Sequence, residues 1–209
     1  MTLNRQVRVA VVYYSATGSV RRLAEALSEG AAKQGAQVRL LRCPETAPPE
    51  VVASRQQWLD NLAATDHVPA PSVDDLRWAD VIAIGCPTRF GTLPSPIATF
   101  LERTGGLWFA DELSDKCAGG FTSASTNHGG HESTLLALSH VFHHWGSIIV
   151  PAGYAGDTLR AAGNPYGVSA HARYGLVSPT EDELVVARAY GARLTSVSLA
   201  LLAGREVPA

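Results

Sequence analysis

The residues best suited to chemistry form one short loop: Ser15, Ala16, Thr17, Gly18, Ser19 and Val20. An apolar run over residues 7–14 precedes it, and an amphipathic run over 21–34 follows. A strand that turns straight into a helix leaves unpaired backbone N–H groups and the positive end of the helix dipole at the turn, which together attract an anion. Hydroxyls on alternate residues (Ser15, Thr17, Ser19) add donors beside the glycine. The loop lacks GxxxxGK[ST] and GxGxxG, so neither a magnesium nucleotide nor an ordinary dinucleotide site is expected. A lysine-free, hydroxyl-rich loop suits a phosphomonoester that is buried and retained. The same pattern also fits a plain βα turn with capping serines.

Other chemistry is excluded by spacing. His131-Glu132-Ser133-Thr134-Leu135 is not HExxH, because a leucine stands where the second histidine should be. His140 and His143 lie one helical turn apart, with no carboxylate cluster or CxxC beside them, so no metal site is expected. Cys43, Cys86 and Cys117 are odd in number and far apart, which reads as free buried thiols in a reducing cytoplasm. Cys86 reads as a small core side chain and not as a nucleophile.

The 209 residues suffice for one α/β domain spanning the whole chain, and the 46% hydrophobic content supports a solid core. Seventeen basic residues against 19 acidic ones give a net charge of -2, with no basic face for nucleic acid. The polar N-terminal residues lead directly into the first apolar run, which reads as no secretory leader. No apolar run is expected to span a bilayer.

Strands are predicted over 7–13, 37–43, 80–85, 116–122 and 148–150. Helices are predicted over 21–34, 95–104 and 132–145, with shorter ones within 50–59 and from Ser72 to near Trp78. Gly35 is the expected stop of the first helix. Thr180 and Glu183 form a capping box that starts a last helix running to about Leu202. Residues 151–178 are expected to be a long functional loop. Alternating β and α elements imply right-handed crossovers and a single doubly wound sheet. The loops after the first, third and fourth strands then meet at the carboxyl ends of the strands, where a ligand is expected.

Those three loops carry a resemblance. Tyr13 to Gly18 matches the phosphate loop, Pro87-Thr88-Arg89-Phe90-Gly91 the second loop, and Asn127 to Thr134 the third loop of the WrbA type of flavodoxin-like NAD(P)H:quinone oxidoreductases. Pro44-Glu45-Thr46, Thr104-Gly105-Gly106-Leu107-Trp108 and Pro165-Tyr166-Gly167 also fit, in order, over nearly the whole chain. The resemblance implies a five-stranded parallel sheet of order 2-1-3-4-5 with helices on both faces. It also implies bound FMN, two-electron reduction of quinones by NAD(P)H, and a homotetramer. Ser15, Ala16, Thr17, Gly18, Ser19 and Val20 would hold the phosphate. Pro87, Thr88, Arg89, Phe90 and Gly91 would lie along the flavin ring and ribityl chain. Ser123, Ala124, Ser125, Thr126, Asn127, His128, Gly129 and Gly130 would hold the ring edge. Trp108 and Phe109 would wall the substrate space, and His144 would face the ring.

The physical readings beside these roles remain open. Arg89 suits a cation near the flavin or an intersubunit salt bridge. Trp108 suits a stacking wall or packing against core or subunit. His144 suits a proton donor to the reduced quinone or a satisfied core or interface histidine. One space used in turn by nucleotide and quinone implies ping-pong kinetics. The alternative is a non-catalytic electron carrier or an FMN-dependent interaction protein. Three positions depart from the family pattern. Thr17 stands where a tyrosine or other large residue is common. The third loop is one residue longer than in some members. His144-Trp145-Gly146 replaces His-His-Gly, so either His144 or Trp145 faces the ring.

Overall fold

A computed structural model describes residues 6–205. The elements run β1 (Arg8–Tyr13), α1 (Ser19–Lys33), β2 (Gln37–Arg42), α2 (Pro49–Ala53), α3 (Gln56–Ala64), α4 (Val73–Trp78), β3 (Val81–Pro87), α5 (Ser95–Glu102), α6 (Gly105–Phe109), β4 (Cys117–Ala124), α7 (His131–His144), β5 (Ile148–Ile149), α8 (Gly156–Ala162), β6 (Val168–His171) and α9 (Glu181–Arg205). Among the described residues the named strands pair in parallel, in the order β2-β1-β3-β4-β5, with β6 also on β4.

The central strands are apolar on both faces because helices cover both. Alternate side chains divide the core in two. Val9, Val11 and Tyr13 point into one half with Leu23 and Leu27 of α1 and Tyr190 and Leu194 of α9. Ala10, Val12 and Tyr14 point into the other with Leu76, Ile97, Phe100, Leu138 and Phe142. This period of two fixes the register, since a slip of one residue would exchange the halves. Two capping boxes start α4 and α9. Ser72 pairs with Asp75 in the first, and Thr180 with Glu183 in the second.

The fifth sheet position departs from the expectation of one strand followed by a long loop. It is shared by two short strands. Cys117 and Ala118 of β4 pair with Ile148 and Ile149, while Phe121 to Ala124 pair with Val168 to His171. Residues 151–178 therefore hold a helix, a strand and the 3-10 turn Arg173–Gly175. The excursion after β2 also holds two helices, α2 and α3, where one was expected.

The expectation that no segment reaches spanning length fails for α9, which is long and apolar enough by length and composition. Its apolarity serves packing on α1. A Cβ added at Gly30 would stand 1.9 Å from the Arg188 carbonyl oxygen, and one at Gly191 would stand 2.0 Å from that of Leu27. The two helices thus touch backbone to backbone at a glycine on each side.

Candidate functional site

The hydroxyl loop is shaped by its own hydrogen bonds. The Gly18 N–H donates to Ser15 Oγ (3.1 Å), and Gly18, at φ 100°, is the N-cap of α1. That backbone region favours glycine. No side chain caps α1, and its first turn holds no acidic residue. Its leading N–H groups and dipole are thus open to an anion. Behind the loop, the Tyr14 hydroxyl donates to Glu45 Oε2 (2.9 Å).

The second and third loops are laced together. Thr88 N–H donates to the Ser123 carbonyl (2.9 Å). Thr88 Oγ1 accepts from the Gly91 N–H (3.1 Å) and from the Thr134 hydroxyl (2.8 Å). Arg89 and Thr92 exchange two backbone hydrogen bonds across Phe90 and Gly91, which both have positive φ (51° and 78°). That is the mirror-type hairpin turn, natural for glycine but strained for phenylalanine. The Phe90 ring is wholly exposed. On the far side, Ala172 N–H donates to the Ala124 carbonyl (2.8 Å), and His171 Nε2 lies 2.8 Å from the Ser125 carbonyl oxygen. The strand β6 thereby holds the third loop in place.

One narrow cavity of about 90 Å³ lies among these loops. It is lined by Ser15, Ala16, Thr17, Ser19, Val20, Pro87, Thr88, Arg89, Ser123, Ala124 and Ser125, all expected at a ligand site. Gly18 shapes the loop from behind, and Phe90 and Gly91 form the tip of the adjoining hairpin. Thr126, Asn127 and His128 are exposed beyond the cavity, while Gly129 and Gly130 lead into α7, whose N-cap is Gly130.

The cavity has lining residues that the sequence reading missed: Arg55, Ala172, Tyr174 and Gly175. Arg55 comes from the excursion after β2, and the others follow β6, so only tertiary pairing brings them in. A Cβ at Gly175 would stand 2.6 Å from Thr17 Oγ1, so the small side chain at 17 leaves room for this turn. Among the described residues, the charged side chains on the cavity are two arginines, Arg55 and Arg89, with no carboxylate.

Trp108, Phe109 and His144 are not brought to this cavity within one chain. Trp108 and Phe109 stand exposed on α6, beside buried Leu107. His144 is exposed at the C-terminus of α7, about 20 Å along the helix from the end that meets the loops. Trp145 is buried and packs on Phe142, with ring centroids 5.8 Å apart. Of the two candidates to face a ligand, Trp145 is thus committed to the core. The three cysteines are buried. Burial pushes the Cys86 thiol far above its ordinary range and Cys117 to about 11, so both stay protonated and unreactive near neutrality.

The donor set fits the phosphate of FMN: backbone N–H groups at a helix start, hydroxyls and arginines, in a cleft without carboxylates.

Comparison with known proteins agrees. Residues 7–158 match the family model described as NADPH-dependent FMN reductase. A protein from Geobacter sulfurreducens named NAD(P)H dehydrogenase (quinone) is 40% identical over 202 residues, covering 93% of this chain and 99% of its own. One of the same name from Deinococcus radiodurans is 39% identical over 164 residues, 78% of this chain and 82% of its own. Among solved structures, a WrbA-like flavodoxin from Agrobacterium tumefaciens superposes with a TM-score of 0.65 at 24% identity, covering 92% of this chain and 98% of that one. The last likeness shows the flavodoxin-like fold. The chain belongs to the NADPH-dependent FMN reductase family, alongside the quinone-type NAD(P)H dehydrogenases.

Proposed function

We propose that the protein is an FMN-dependent NAD(P)H:quinone oxidoreductase that works as a homotetramer by a ping-pong mechanism. The observation that carries the cofactor is the carboxylate-free cavity at the N-terminus of α1, walled by three loops from three neighbouring strands. The names of the relatives carry the substrates.

FMN, when bound, supplies the two-electron chemistry between nucleotide and quinone. The chain orients it. Ser15, Thr17, Ser19 and the first N–H groups of α1 hold the phosphate. The backbone of the Thr88 and Ser123 loops follows the ribityl chain and the ring edge. These loops are cross-linked before any ligand arrives, so their dipoles need no reorganisation. The ring's open side is completed by a second copy, whose exposed α6 presents Trp108 and Phe109 and whose α7 presents His144. In that place the aromatics stack on a planar quinone, and His144 delivers a proton to its oxygen. The buried free thiols support a reducing cytoplasm as its compartment.

The test is spectroscopic and kinetic. Purified protein supplemented with FMN should show a bound-flavin spectrum, bleach on anaerobic NADH or NADPH, and recover on adding a quinone. Double-reciprocal plots should be parallel. Intersecting lines would end the ping-pong reading, and a flavin that the nucleotide leaves oxidised would favour an electron carrier. Sedimentation should give four copies per particle.

A further inference from the structure

The geometry points to the excursion after β2 as a working part of the phosphate site: Arg55 supplies the cation that neutralises the phosphate, and Asn61 is the positioning residue that shapes the loop around it. This rests on the reading of the cavity as an FMN site.

The hydroxyl loop itself carries no cation. Of the two arginines on the cavity, Arg89 is engaged locally: its Nη1 donates to the Thr88 carbonyl (3.0 Å). Arg55 makes no ion pair or side-chain hydrogen bond among the described residues. Several other arginines, Arg8, Arg39 and Arg188 among them, pair with carboxylates, whereas Arg55 stands on the cavity with none. Arg55 sits at the N-cap of α3 and lines the cavity beside Ser15 to Val20. A guanidinium there, with no protein anion to satisfy it, is matched in geometry and charge to phosphate oxygens.

Asn61, one and a half turns on, is 5% exposed. Its Nδ2 donates to the Ser15 carbonyl oxygen (2.8 Å) across 46 residues of sequence. That bond occupies a carbonyl that would otherwise be available to repel an anion, while the Ser15 hydroxyl holds the Gly18 N–H. The Asn61 Oδ1 is buried without a partner, 3.4 Å from where a Cβ on Gly18 would stand. A buried orphan acceptor is unfavourable, and the Nδ2 bond to Ser15 fixes the amide against the loop in spite of that cost. The helix is moored at two further points. Trp58 Nε1 donates to Glu45 Oε2 (2.8 Å), and Arg42 Nη1 donates to Thr65 Oγ1 (3.0 Å), which itself donates to the Asn61 carbonyl (2.7 Å). Arg55 is therefore delivered on a fixed support.

The experiment compares FMN with riboflavin, which has the same ring and ribityl chain but no phosphate. Each is titrated by flavin fluorescence into full-length protein freed of flavin. Arg55→Gln should raise the FMN Kd about tenfold and leave the riboflavin Kd unchanged. The difference should shrink with rising salt, and Arg55→Lys should restore much of it. Asn61→Leu should also lower the FMN-to-riboflavin affinity ratio, a readout that a purely structural role would not move. An unchanged ratio in Arg55→Gln overturns the inference, as does an equal loss of both flavins. Because Arg55 is exposed, its variants remain informative even if Asn61→Leu fails to fold. A wild-type protein that takes up neither flavin overturns the FMN reading itself, and this inference with it.

Discussion

Two ends of the proposed active site are built differently. The phosphate end is made from one chain: the loop after β1 is closed by its own hydrogen bond, the loops after β3 and β4 are bonded to each other, and two core halves back them. The proposed substrate end would consist of Trp108, Phe109 and His144, all exposed and none on the cavity. The difference separates two tasks. Holding a cofactor requires donors fixed before it arrives, and a single fold fixes them. The proposed cycle, in which two substrates enter in turn, would require a face that stays open, and exposed residues leave it so.

The change expected to break the phosphate end most severely is Gly130→Ala. A Cβ there would stand 2.8 Å from the Gly91 Cα, at a φ of 96°. Strain plus overlap should cost about 2–4 kcal/mol of stability and abolish FMN retention, as read by thermal melting and flavin content. Trp108→Ala probes the other end. Quinone turnover per bound flavin should fall about tenfold while the FMN Kd stays fixed, in line with a lost stacking surface. Loss of FMN with unchanged turnover would reverse the assignment. Ser15→Ala removes one hydrogen bond from the cradle and should weaken FMN about threefold to tenfold by titration.

The smallest effect concerns the support behind the cradle. Burial pushes the Cys43 thiol from 9.0 to about 12 and the Tyr13 phenol from 10.0 to about 12. Both pKa values are raised in the folded state, so the neutral forms stabilise it. That contribution is complete below the unfolded values and is lost as pH rises through the folded ones. Melting temperatures should therefore fall from about pH 9 toward 12, and Cys43→Ala should soften the onset of that fall. Thiol-reactive dye should meanwhile label none of the three buried cysteines in the native protein at neutral pH.

What the sequence makes legible follows from locality. The hydroxyl loop, the Thr88 hairpin and the Ser123 loop each sit where an apolar run meets glycine and hydroxyl residues before a helix, and all three contribute lining residues to one cavity. The strand β6 is only four residues long, and its partner β4 lies more than 40 residues back. No local pattern announces such a pairing. Arg55 is a lone arginine in a polar stretch, and its place on the cavity depends on α3 docking to the β1 end through Asn61 and Trp58. Trp108 and His144 have the side chains suited to a substrate wall, but residue type does not say that a single chain leaves them apart from the cradle.

The split fifth sheet position bears on how the protein is made. Chains leave the ribosome N-terminus first, at about 5–20 residues per second. The segments that wall the cavity at residues 172–175, and the helix α9 that covers α1, emerge after all three site loops. Until then the sheet lacks part of its edge, and Leu23 and Leu27 lack one of their covers. The cofactor cradle is therefore completed only after residues 168–175 have emerged. A transcript cut short before β6 would yield a chain with the hydroxyl loop intact and no finished place for the cofactor.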